Sequence, residues 1–205
     1  MPRRCSFGGV APGNVLFNNR VMAFDREGLA QRAADLAVQN VFIGTSSWKY
    51  QGWFGMIYNP LRYEYRGKFA TTRFNRECLA EYAETFKTVC VDAAYYNFPS
   101  QQYLEGMTNQ VPEDFQFGFK VTDAITLKKF PNLDRFGDLA GKPNEHYLNA
   151  ELFAKAFLQP CEAIRANVGL LMFEFSRGIR RDWENPGGRE FLKTKGPRDT
   201  PIFIG

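Results

Sequence analysis

Four polar residues, Ser46, Asp92, Lys120 and Glu174, each sit inside or at the end of an apolar run that reads as a β-strand. If those strands lie side by side, a lysine stands between two carboxylates, with a hydroxyl nearby. Such a group has three chemistries. It can be a buried ion-pair network, because isolated buried charges are too costly to leave unpaired. It can hold an anion or phosphate through Lys120 while Asp92 or Glu174 accepts a proton as general base. It can also supply a nucleophilic amine, which requires a lysine pKa well below normal. The candidate catalytic set is therefore Lys120, Asp92 and Glu174. Ser46, Trp48, Tyr50, Trp53, Tyr96 and Asp123 are candidate substrate-binding residues. Asp92, Asp123 and Glu174 offer oxygen ligands of the type Mg²⁺ takes, but no metal is assigned to them. A multi-histidine zinc or iron centre is excluded within one chain, since His146 is the only histidine.

The convergence follows from strand geometry, in which successive side chains point to opposite faces. In Thr88–Tyr95, Val89 and Val91 take one face, leaving Cys90 and Asp92 on the other. In Phe115–Thr122, the three phenylalanines at 115, 117 and 119 oppose Lys120. In Val168–Phe175, Phe173 and Phe175 oppose Glu174, and in Val41–Trp48, Ile43 and Thr45 oppose Gly44 and Ser46. One bulge would break this arithmetic.

Helical stretches separate the strands. Asp25 can cap a helix carrying Leu29, Ala33, Leu36 and Ala37, and Asn75 one carrying Leu79, Tyr82, Ala83 and Phe86. Ser100 opens a third, with Tyr103, Leu104 and Met107 on one side, and Asn149 a fourth, interrupted at Pro160. Alternating strands and helices predict an α/β fold with a parallel sheet, whose doubly covered strands read as continuous apolar runs. Two strand-to-helix connections are long, Lys49 to Phe74 and Asp123 to Leu148, and in parallel α/β folds such loops form the functional face. The aromatic residues Trp48, Tyr50, Trp53 and Tyr58 of the first either stack on a sugar or base or wedge the loop against the sheet, and wedging is the commoner role.

Gly44-Thr45-Ser46-Ser47-Trp48-Lys49-Tyr50, then Gly52-Trp53 and Tyr58-Asn59-Pro60, resembles the opening strand and loop of the YecE-like family, domain of unknown function 72. Thr88 to Pro99, Phe117-Gly118-Phe119-Lys120-Val121 with Ile125-Thr126, and Val168 to Phe175 are similar to its next three strands. Cys90, Asp92, Leu127 and Glu174 stand where many members have Glu, Asn, His and Gln. The resemblance covers about residues 24 to 176 and implies a TIM-barrel-like (β/α) repeat with parallel strands, incomplete at about four or five. It divides the chain into an irregular lead-in, 1–23, a partial barrel, 24–176, and an atypical or truncated tail, 177–205, with Pro201 to Ile204 as a candidate fifth strand.

Composition narrows the function classes. A net charge of +4 with 23% charged residues is too dilute for a dedicated nucleic-acid surface, so nucleic acid is not favoured. No apolar run approaches a membrane span, and Met1–Asn19 lacks a secretory apolar core. Cys5, Cys78, Cys90 and Cys161 show no short metal-knuckle spacing and fit a reduced, cytoplasmic protein. The expected function is action on a small anionic or phosphorylated substrate at the strand C-terminal ends. The opposing expectation is a non-enzymatic truncated fragment or interaction module, with half barrels self-associating. No motif names a cofactor.

Overall fold

The computed structural model describes residues 14–17, 20–175 and 202–204, with side chains from 23 to 175. The chain opens with an antiparallel hairpin, β1 (Asn14–Phe17) and β2 (Arg20–Ala23), inside the segment expected to be irregular. Helix α1 (Arg26–Val38) follows, and the Asp25 carboxylate caps it by accepting from the Gly28 amide at 2.8 Å. Only Ala33 of α1 is buried, Leu29 packs half-buried against the core, and Arg26 ties down the first turn. The Arg26 guanidinium donates to Thr85 Oγ1, the Glu81 carbonyl and the Glu84 carboxylate.

Strand β3 is two residues, Gly44–Thr45, rather than the run from Val41 to Trp48. Val41, Phe42 and Ile43 are 40–48% exposed. Backbone pairing needs a partner strand, and β3 meets only β6, whose ladder begins at Gly44 opposite Thr88. A Cβ on Gly44 would fall 2.0 Å from the Thr88 carbonyl oxygen, so glycine is what lets the two strands approach there.

The long connection after β3 is ordered by its own turns. It contains 3-10 turns at Gln51–Trp53 and Pro60–Tyr63 and a small hairpin, β4 (Glu64–Tyr65) and β5 (Lys68–Phe69). Arg66 and Gly67 both have positive φ, 51° and 70°, as a two-residue hairpin turn requires. Helix α2 (Thr71–Ala83) then begins four residues ahead of the expected Asn75 cap. Tertiary packing sets that start: Phe74 is fully buried, 5.0–5.2 Å from the rings of Tyr63, Tyr58 and Phe54, which draws the first turn onto the loop.

Strand β6 (Thr88–Val91) ends earlier than expected, because Ala93–Tyr96 form a helical turn, α3. Thr122 Oγ1 donates to the Ala94 carbonyl at 2.7 Å, satisfying a group that a strand would have offered to a neighbour. Helix α4 (Gln101–Thr108), capped by Ser100, leads to β7 (Gln116–Lys120). After β7 come the turn α5 (Asp123–Thr126) and a 3-10 segment, Asp134–Leu139. The next helix, capped by Asn149, runs as α6 (Ala150–Leu152), a π-helical stretch Phe153–Leu158, and α7 (Gln159–Glu162). The chain continues through Pro160 rather than stopping, and the widened π turns precede a residue that has no N–H to donate back.

Strands β8 (Val168–Phe173) and β9 (Ile202–Ile204) complete a five-stranded parallel sheet in the order β3-β6-β7-β8-β9. This is an α/β fold with a parallel (β/α) repeat, and β9 occupies the candidate fifth position. Val89, Val91, Phe115, Phe117, Phe119, Leu171 and Phe173, all at most 1% exposed, form one core with Leu79, Tyr82, Leu104, Phe153 and Phe157 from the helices. Among the described residues β3 and β9 each pair on one side only, and on the face away from the helices Cys90, Lys120, Leu170 and Met172 are only half-buried.

Candidate functional site

The open face carries a cavity of about 860 Å³. Its floor is the alternate set of strand residues: Thr88 and Cys90 from β6, Gln116, Gly118 and Lys120 from β7, and Leu170 and Met172 from β8, with Phe42, Gly44 and Ser46 at one edge. Among the lining residues Lys120 is the single charged one.

Register explains the position of Lys120. Val91 pairs with Phe119, which brings Asp92 level with Lys120 on one side. On the other side Lys120 pairs with Met172, two residues before Glu174. The Lys120 ammonium lies 3.5 Å from Asp92 Oδ1 and 3.2 Å from Glu174 Oε2. A bulge does interrupt β8: Phe117 pairs with Val168 but Gly118 with Leu170, leaving Gly169 extra. Because it falls before Leu170, the alternation from Leu170 to Glu174 is undisturbed, and Val168 and Leu171, three apart, share the buried face.

The remaining candidates are scattered. Ser46 is exposed on the cavity edge. Trp48 is 7% exposed and belongs to the core, and the Tyr58 hydroxyl donates to its carbonyl. Trp53 is half-buried and stacks on Tyr82 with ring centroids 6.4 Å apart. These rings wedge the loop against the core, the commoner of the two roles open to them. Tyr50, edge-on to Trp53 at 5.3 Å, is exposed, as is Tyr96. Asp123 is buried and pairs with Arg135 at 2.7 Å, not with Lys120. Among the described residues no three His, Cys, Asp or Glu side chains form a metal-binding group, so the Asp92, Asp123 and Glu174 ligand set does not assemble. No helix among them is long and apolar enough to cross a membrane.

A family model described as "Protein of unknown function DUF72" matches residues 42–204. The chain belongs to the DUF72 family. Solved structures of DUF72 family proteins are similar to it. One from Enterococcus faecalis has 24% identity and a TM-score of 0.45, covering 62% of this chain and 42% of that one. One from Thermotoga maritima has 19% identity and a TM-score of 0.45, covering 80% and 55%. The chain thus spans about half the length of these solved relatives. None of the curated proteins matches it.

Electrostatics separates the three chemistries open to Lys120 in the DUF72 chain. Partial burial pulls its pKa down, but the Glu174 hydrogen bond and the Asp92 charge outweigh that, and the net shift is upward. The ammonium is therefore held protonated, the opposite of what a nucleophilic lysine needs. Cys90, 3.7 Å from Asp92 Oδ1, is no better a nucleophile: burial, then the Asp92 carboxylate, pushes its thiol up to about 11. What remains is a protonated lysine on the floor of the cavity, ion-paired with Asp92 and Glu174.

Two further residues at this end of the sheet were not singled out by sequence. Arg135 holds buried Asp123, and its guanidinium carbon lies 5.8 Å from the ring centre of Tyr95, on the turn after β6. Their only sequence signal is membership of the two segments that follow β6 and β7. A contact across 12 residues of irregular loop has no periodicity to reveal it.

Proposed function

We propose that this DUF72 chain acts on a small anionic or phosphorylated substrate at the C-terminal ends of its strands, with Lys120 as the anion-binding group. One observation carries the reading: the cavity's charged lining residue is a cation, and the two carboxylates that hold it protonated are not part of the lining. An anion entering the cavity meets Lys120 from the side the carboxylates leave free. Asp92 and Glu174, which contact the Lys120 ammonium from outside the lining, are the carboxylates beside it that can accept a proton. Ser46 supplies a hydroxyl on the cavity edge.

Titration with inorganic phosphate, followed by amide chemical shifts, tests this. Lys120→Met is expected to weaken binding at least about tenfold, the loss of one charge-assisted contact. The fold should survive, because the Lys120, Asp92 and Glu174 side chains are 28%, 41% and 55% exposed and leave no buried orphan charge. Since its raised pKa keeps Lys120 charged beyond the ordinary lysine value, Lys120 itself should add no pH dependence from about pH 6 to about 9, and the change in binding there should follow the second ionisation of phosphate. Unchanged phosphate binding in the variant sinks the reading.

A second reading, an interaction module, is favoured by the exposed Val41, Phe42 and Ile43 beside the unpaired edge of β3. A second copy supplying its β9 edge there would cover those residues and close the open face. Light scattering on the chain should then show a dimer that Phe42→Asp dissociates. A monomer at high micromolar concentration disposes of it.

A further inference from the structure

Three glycines line the cavity that holds Lys120: Gly44, Gly118 and Gly169. Packing explains two of them. A Cβ on Gly44 would fall 2.0 Å from the Thr88 carbonyl oxygen, and one on Gly169 would fall 2.9 Å from Gln116 Cβ. Gly118 is different. A Cβ there would meet nothing closer than 3.9 Å, an ordinary contact with Cys90 Cα, Leu170 Cβ and the Val89 carbonyl oxygen. Its φ is not positive, so the backbone does not ask for glycine either. The nearby bulge takes its extra residue from β8, at Gly169, and so does not account for Gly118. Glycine inside a strand lowers stability, and where neither packing, bulge nor φ requires it, it marks a surface that a ligand approaches closely.

The place of Gly118 in the sheet limits what can lie on it. β7 is the middle of the five strands. Register sets Cys90 of β6 and Leu170 of β8 level with Gly118, one on each side, and Met172 level with Lys120. Cys90, Leu170, Met172 and Lys120 are half-buried and line the cavity. Gly118 is thus a bare length of strand walled by a thiol and an isobutyl group, two residues and about 7 Å before Lys120. That is the reach of one aromatic ring attached to an acidic group. Cys90, Leu170 and Met172 offer weak hydrogen bonding or none, so the hydroxyls of a sugar-like body would lose water there without gaining partners. A ring face has no such cost and gains by leaving water.

We infer that the ligand is an acid carrying a flat aromatic ring, its acidic group paired with Lys120 and its ring laid on the bare backbone of Gly118 between Cys90 and Leu170. This rests on the cavity reading above and narrows it from any small anion to an aromatic one. Gly118 is then the residue that sets specificity, because a side chain at that position would occupy the place of the ring.

The test measures binding of inorganic phosphate, glycerol 3-phosphate and phenyl phosphate by calorimetric titration at about pH 8, where all three are largely dianions. The wild-type chain should bind phenyl phosphate at least about tenfold more tightly than either of the others, as burial of an apolar ring predicts. Equal affinity for glycerol 3-phosphate, whose body is hydroxylated, overturns the aromatic assignment. In Gly118→Val the ratio of phenyl phosphate to phosphate affinity should fall to near unity. A β-branched residue suits a strand, so its melting transition should stay cooperative. If the valine variant binds neither ligand, Gly118→Ala and Leu170→Ala decide, each being expected to lower the ratio about threefold or more. A ratio that none of these substitutions moves overturns the inference while Lys120 stands. If Lys120→Met leaves phosphate binding unchanged, the cavity reading fails first and this inference with it.

Discussion

Glu81→Ala is expected to cost about 3–5 kcal/mol of stability, the range for removing one partner from a buried charged network. The Glu81 side chain is 4% exposed. Its Oε2 accepts from the Tyr63 hydroxyl at 2.7 Å, its Oε1 accepts from the Asn59 amide at 2.9 Å, and Arg26 Nη1 lies 4.0 Å away. One carboxylate thus ties α1, the connection before β4, and α2 together. Truncation leaves the fully buried Tyr63 phenol and a backbone N–H without acceptors, at about 1–3 kcal/mol each. Tyr63→Phe removes a single donor and leaves Glu81 with Asn59 and Arg26, so about 1–2 kcal/mol is expected. The double variant should lose less than the sum, because the phenol that Glu81→Ala orphans is then absent. Urea titrations of the four proteins give the cycle. A Glu81→Ala loss below about 1 kcal/mol would show that the loop is held by its aromatic packing alone.

Phe117→Ala should also cost about 3–5 kcal/mol, the usual range for deleting a buried aromatic ring. Phe117 is central in β7, fully buried, with the Phe115 and Phe119 rings 5.1 and 6.0 Å away. Leu170→Ala on the adjacent strand is the informative partner. Leu170 lines the open cavity and is only half-buried, so its truncation should cost less than about 1 kcal/mol. Large losses from both would mean that the inner face is covered in solution, as a closed pair of copies would cover it.

The two faces contrasted by these substitutions were legible as period-two patterns. Val89, Val91, Phe115, Phe117, Phe119 and Phe173 all fall on the buried side that alternation assigns them. Cys90, Lys120 and Glu174 fall on the other. The Asp25, Ser100 and Asn149 caps were legible too, since each acts on an amide three residues away. Asn75 misled because nothing within α2 records Phe74 docking against Tyr58 and Tyr63. Val41 to Ile43 misled because β-branched and aromatic residues suit a strand only where a strand lies beside them.

By itself, then, the sequence determined the strand faces, the order of helices and strands, and the inward set containing Asp92, Lys120 and Glu174. Each of these depends on spacing along one element. Only the tertiary structure decided that β3 shrinks to Gly44–Thr45, that Glu81 pins Tyr63, and that Arg135 reaches back to Asp123 among Tyr95, Tyr96 and Phe136. It also decided that Lys120 stays protonated. Phe136 apart, those outcomes turn on neighbours 12 or more residues away and on how far each group is removed from water, and neither quantity has a period along the chain.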